Sequence, residues 1–291
     1  MNTVVSSKAS SEVFFKGAEF TSFPGHLHFR FFAQYIHMGE MAWSNAEFSA
    51  RIMPFFEGVL PELAHAFNTY ERLDHEIKDY KAGIQDGRYL KVDHKGRTEH
   101  NRSKECEIQA SVKSLFVSLK RSLMLTFKSG VISDTSFDAQ RFYFCDANKL
   151  NKRLDEYLKQ SDGRYKPLVE LLVKANRDFL NTLKEIRDDV EHDPFTVDAF
   201  ALEKTPDGYF VAEPILNGKL LSVTIEYHFN SVFDLIEKLI AYFIGINVEL
   251  KCAGFELQVG REVDYLNSKN RFIVAPTGAR MWYPTDKCLY D

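Results

Sequence analysis

The chain predicts a mainly α fold with a small β-hairpin insertion before its last helix. Three observations carry that expectation. Apolar residues recur at steps of three and four over several long segments, as amphipathic helices require. After Pro194 the period changes, and short runs alternate with turn sequences. Across the 291 residues, 45% are hydrophobic and 27% charged, which allows a packed core and excludes a mostly disordered or collagen-like chain.

In chain order, residues 1–50 read as an N-terminal extension with a strand and a short helix. The strand is Gly25–Phe32, where Leu27, Phe29 and Phe31 share one face. From Pro54 the pattern turns helical, with Phe56, Leu60, Leu63, Phe67, Tyr70, Leu73, Ile77 and Tyr80 on one stripe and Gly83 and Gly87 as the stop. Residues 81–104 read as a polar connection. Its Lys81, Arg88, Lys91, Lys95, Arg97, Arg102 and Lys104 outnumber Asp86, Asp93 and Glu99 in a chain whose net charge is -4. That balance excludes a uniformly basic nucleic-acid coat and leaves room for a local basic patch.

A second helix carries Ile108, Val112, Leu115, Leu119, Leu123 and Phe127, and Gly130 ends it. Lys113, Lys120, Arg121 and Lys128 read as its solvated face. Residues 131–150 read as a loop or short helix. The next helix runs from about Tyr165 to His192, with Leu168, Leu172, Ala175, Phe179, Leu183, Ile186 and Val190 at near-heptad spacing, so an antiparallel neighbour is expected. Pro194 ends it by disfavouring helical torsions at Asp193.

A β insertion spans about 196–228. Phe200–Lys204 and Tyr209–Glu213 flank Thr205-Pro206-Asp207-Gly208, and Leu216-Asn217-Gly218-Lys219 is a second turn, followed by the extended run LLSVTIEYHF. The last helix starts near Ser231, with Asp234 completing a cap. Residues 251–291 form a C-terminal extension, with a strand at Phe272-Ile273-Val274 and coil around Trp282-Tyr283.

Cys106, Cys145, Cys252 and Cys288 have neither zinc-finger nor redox spacing, so buried free thiols are expected. No secretory signal and no stretch of membrane-spanning length is apparent, and a cytoplasmic protein is expected. His26 and His28 would share a strand face without acidic partners, and His94, His100 and Cys106 are spaced too loosely for a zinc site. No metal or other cofactor is expected. His65 and His75 fall on the polar side of the first long helix. Phosphate-loop and hydrolase-elbow motifs are absent.

The informative segment is NTLKEIRDDVEHDPF, residues 181–195. Arg187 is followed by Asp188 and, after four intervening residues, by His192. This spacing, at the end of a long amphipathic helix in a mainly helical frame, resembles the HEPN superfamily over roughly residues 51–250. The resemblance implies a bundle of four to five helices, a homodimer, and a metal-independent endoribonuclease with Arg187, Asp188 and His192 as catalytic residues. It also implies a toxin or defence effector that an inhibitory protein partner would hold inactive.

The chemistry fits those residue types. Cleavage through the 2′-hydroxyl needs proton transfer, which histidine supplies near neutrality, and positive charge at phosphorus, which the arginine fork supplies. Asp188 would orient Arg187 or hold one histidine nitrogen. On a straight helix Arg187 and His192 stand about 140° apart with about 7.5 Å of rise, so either the helix loosens or two chains share the site. Lys184, Arg177, Arg88, Lys91, Lys95, Arg97 and Arg102 would make further RNA contacts. Two plainer readings compete. Arg187 would form a surface ion pair with Glu191, and His192 would favour the helix C-terminus. Alternatively, a HEPN-like scaffold without catalysis would dimerise and bind RNA, a nucleotide or a protein.

Overall fold

The computed structural model describes residues 31, 34–92, 94–95, 98–133, 137–142, 147–160, 163–192, 197–206, 208–251, 253–259 and 272–276. It is mainly helical, with small antiparallel strand pairs. Two compact units emerge, one within Gly58–Ile236 and one within Met1–Glu57 and Glu237–Asp291.

The first unit is built on α3 (Leu60–Gln85), α4 (Arg102–Lys128) and α7 (Asn181–His192). Its core is the predicted stripes: Leu63, Phe67, Leu73 and Ile77 on α3, Ile108, Val112, Leu115, Leu119 and Leu123 on α4, and Leu183, Ile186 and Val190 on α7, all buried. Polar contacts set the directions. Glu76 accepts from Ser111, while Glu62 meets Arg121, so α3 and α4 are antiparallel. Lys120 meets Asp188 and Lys113 meets Glu191, so α4 and α7 are antiparallel as expected.

Before α7 the chain forms α5 (Ala147–Gln160), α6 (Lys166–Ala175) and a π-helical turn, Asn176–Leu180. The expected single helix from Tyr165 to His192 is therefore helical throughout, with one widened turn. The successive steps of four at Ala175, Phe179 and Leu183 fall there, because a π turn holds more residues per turn than an α turn. The loop or short helix expected over residues 131–150 holds a short 3-10 helix at Ala139–Phe142, and α5 extends past that range, over residues for which no element was expected. Helix α5 is mostly polar and rests on Leu150 and on Tyr157, whose ring meets Phe137 and Phe142 edge-on.

The polar connection is also more ordered than expected. Helix α3 continues through Gly83, and β1 (Leu90–Val92) pairs with β2 (Thr98–His100). Gly83 is not a stop signal. A Cβ there would lie 2.2 Å from the Tyr89 ring. That ring is tethered by its hydroxyl, which donates to Asp79 at 2.6 Å. Gly87, with φ +83°, is the actual terminus.

The hairpin of β3 (Ala201–Thr205) and β4 (Gly208–Ala212) matches expectation, as does the turn between β5 (Ile215–Leu216) and β6 (Lys219–Leu220). In that turn Asn217 and Gly218 both take positive φ, 53° and 75°, as a two-residue I′ turn requires. The extended reading of LLSVTIEYHF is corrected: α8 (Leu221–Lys251) starts at Leu221. Ser231 lies inside that helix and caps nothing. The run is rich in β-branched residues, yet Leu221, Thr224, Ile225, His228, Phe229 and Val232 are buried, at helical spacing. Tertiary packing overrides strand propensity here. The Phe229 ring stacks on Tyr70 at 4.1 Å.

The second unit holds α1 (Gln34–Ala42), α2 (Asn45–Pro54), the later half of α8, and β7 (Phe255–Val259) paired with β8 (Phe272–Pro276). Ser44 and Glu47 form a capping box on α2, and Arg51 lies over the Trp43 and Phe243 rings. Tyr35 donates to the Glu237 carbonyl, and the Phe272 amide to Gln34. The strand expected at Gly25–Phe32 lies outside the described residues except for Phe31, which is helical and buried. Trp282 and Tyr283 also lie outside them. Among the described residues, no helix is long and apolar enough to cross a membrane.

Gly83→Ala tests the close approach of Tyr89. Helix propensity alone favours alanine by about 1 kcal/mol. The clash with a tethered ring is expected to reverse that sign and cost about 1–3 kcal/mol in chemical denaturation. A stabilised variant would mean that the ring moves aside freely.

Candidate functional site

Helix α7 buries Leu183, Ile186 and Val190 against the core and so turns Arg187, Asp188, Glu191 and His192 towards its flank and end. The Arg187 side chain is one-quarter exposed. Its Nη1 lies 2.8 Å from Asp188 Oδ1 and its Nη2 2.5 Å from Glu191 Oε2. Its Nε is buried and has no partner among the described residues. The ion pair of the plainer reading therefore forms, joined by a second carboxylate.

Asp188 faces Arg187, not His192. It also accepts from Lys120 Nζ at 3.2 Å. The Arg187 hydrogen bond holds its carboxyl below the usual carboxylate range, with Lys120 adding to the effect. Lys113 Nζ donates to the Glu191 carbonyl at 3.3 Å. His192, the last residue of α7, is exposed and makes no hydrogen bond or ion pair among the described residues. The helix keeps α form to its end, so Arg187 and His192 do not share a face of one chain.

Val197 and Phe200 lie farther along α4, towards its N-terminus. Gln109 donates to the Val197 carbonyl at 3.0 Å, and the Phe200 amide donates to Glu105 at 2.5 Å. Glu105 is buried and also lies 3.0 Å from His100 Nε2.

The outlying basic residues are not gathered into one cluster. Arg177 pairs with Asp178 at 3.0 Å on the π turn. Arg88 is held by Asp86 at 2.7 Å and Asp79 at 3.2 Å. Lys91 sits opposite Glu99 in the hairpin register. Lys184, Lys91, Lys95 and Arg102 are exposed. Arg97 lies outside the described residues.

Lys113 and Lys120 were expected on a solvated face, and Lys113 is exposed there. Lys120 instead is only 21% exposed and engaged with α7, and Lys113 reaches that helix's end. The missed signal was their seven-residue spacing, which puts both on the α4 face towards an antiparallel partner. Cys106 corrects the expectation of buried thiols, since it is exposed; the other cysteines lie outside the described residues. His65, His75 and His94 are exposed, and His26 and His28 are outside the described residues. No group of three or more His, Cys, Asp or Glu able to hold a metal ion occurs among the described residues.

Sequence reading also passed over His228. It is 2% exposed, its ring meets Phe116 edge-on at 5.7 Å, and its Nδ1 has no partner among the described residues. Burial pushes it down to about 4, with the Lys219 charge contributing.

No family model matches the chain, and neither a curated protein nor a solved structure is detectably similar to it.

His228 gives a pH prediction. Its folded pKa lies below the ordinary histidine value, so its contribution to stability is present above about pH 6.5 and declines as pH falls towards about 4. The loss across that window is of order 3 kcal/mol. His228→Phe should remove it, so the stability difference between variant and wild type should shift in the variant's favour as pH falls from 7 to 4. A difference that stays constant with pH would mean that the ring is not held neutral.

Proposed function

We propose that the chain is a metal-independent endoribonuclease built on a HEPN-like bundle, acting as a cytoplasmic toxin or defence effector. The observation that carries this reading is the freedom of His192. It is exposed, unbonded among the described residues, and ends the helix that carries Arg187. A histidine available to bulk substrate at neutral pH is what proton transfer to and from RNA oxygens requires.

The α form of α7 up to His192 puts Arg187 about 140° around the helix from it. That favours a homodimer in which two α7 ends face one cleft and each chain completes the other. Arg187 stabilises phosphate charge, His192 moves the proton and Asp188 orients Arg187, which it already contacts at 2.8 Å. Lys184, Lys91, Lys95 and Arg102 are exposed and would contact RNA outside the cleft, and Arg88 and Arg177 would have to leave carboxylates to do so. An inhibitory protein partner would cover the cleft.

A second reading has its own observation. Both terminal nitrogens of Arg187 are engaged by carboxylates, which suits a dimerisation scaffold that binds RNA, a nucleotide or a protein without cutting.

RNA cleavage in EDTA, with sedimentation at micromolar concentration, separates the two. The nuclease should leave cyclic-phosphate ends, sediment as a dimer and lose about 100-fold or more of its rate in a folded His192→Ala variant. Cleavage that survives the substitution would place the chemistry elsewhere. A folded dimer that binds RNA without cutting it would favour the scaffold.

A further inference from the structure

We propose that Lys113 is the phosphate-binding cation beside His192, a role that deepens the ribonuclease reading and rests on it. Four cations border the exposed half of α7: Lys113, Lys120, Lys184 and Arg187. Arg187 is committed to Asp188 and Glu191, and Lys120 shares Asp188. Lys184 is exposed, but eight residues before His192 it lies about 12 Å up the helix. Lys113 alone of the four touches the peptide that leads into His192, through the Glu191 carbonyl at 3.3 Å. It is exposed and pairs with no carboxylate among the described residues.

The carbonyl takes one of three ammonium donors, which leaves two donors and the full charge for an anion. The position also matters for charge. A helix C-terminus repels phosphate through its unsatisfied carbonyls. A cation bonded to one of those carbonyls offsets that repulsion where a phosphate must sit to meet His192. Lys113 comes from α4, which the packing of α3 and α7 holds in place, so it is a fixed part of the site.

The test uses inorganic phosphate and a single-stranded oligoribonucleotide with the full chain. Phosphate titrated into the wild type should shift the His192 imidazole resonances. Lys113→Arg should keep that response. Lys113→Met and Lys113→Gln should lose it, and the glutamine still offers a donor to the Glu191 carbonyl, so a merely structural cap would survive there. RNA cleavage should slow about 10- to 100-fold in Lys113→Met, the range expected for losing a charge-assisted phosphate contact. The proposal is overturned if wild type shows no phosphate response or if Lys113→Gln responds as wild type does. Should wild type bind phosphate through Lys113 but cleave no RNA, the ribonuclease reading fails and the anion site stands.

Discussion

Everything near the end of α7 depends on the burial of α4 between two antiparallel helices. Its apolar face is fixed by Ile108, Val112, Leu115, Leu119 and Leu123. With that face committed, its rotation is set, and Lys113 and Lys120 can only lie along the seam with α7. The register is pinned further by Glu105. This buried carboxylate accepts the Phe200 amide and faces His100, so it ties the hairpin before α4 and the segment after α7 to the same helix. A buried carboxylate must be satisfied by such partners, and removing one of them leaves a charge that nothing else compensates. Val197 and Phe200 are thus held farther along α4, towards its N-terminus.

The charges around α7 follow from the same constraint. Arg187 lies at the border of the buried face, where its Nε is cut off from water. A guanidinium held there is stable only with carboxylates close by, and the helix supplies one at the next position and one a turn later. Lys120 then balances Asp188. The group carries two cations and two carboxylates and is nearly neutral as a whole. A bound anion would compete with Asp188 and Glu191 for Arg187, whereas Lys113 pairs with no carboxylate among the described residues. Long-range attraction of an anion to this flank is therefore weak.

The long helices were legible because each buries a stripe with a regular period, and that period survives in the sequence of α3, α4 and α7. The two Gly-containing turns of the insertion were legible because few residues accept positive φ. What was not legible depended on contacts distant in sequence. Val223-Thr224-Ile225 looks like a strand until Phe229 is seen stacked on Tyr70. Gly83 looks like a helix stop until Tyr89 is seen lying across it. Helix α5 has too thin an apolar stripe to announce itself. At the candidate site, the i, i+4 pair of Arg187 and Glu191 could be read directly. The role of Lys113 could not, because it needs the relative register of two helices some eighty residues apart.

That register also changes what a dimer would have to supply. If Arg187 were the essential cation, each chain would hold its cation and its histidine on different sides of α7, and neither could act on one phosphate without the other chain. With Lys113 on the Glu191 carbonyl, one chain already brings a cation to the peptide that leads into its own His192. Cleavage through the 2′-hydroxyl needs two proton transfers, one from the nucleophile and one to the leaving oxygen, and a single imidazole in one protonation state cannot perform both at once. On the proposed ribonuclease reading, a second chain would supply a second His192. A symmetric pairing under that proposal would bring the two α7 ends together, with the scissile phosphate between them.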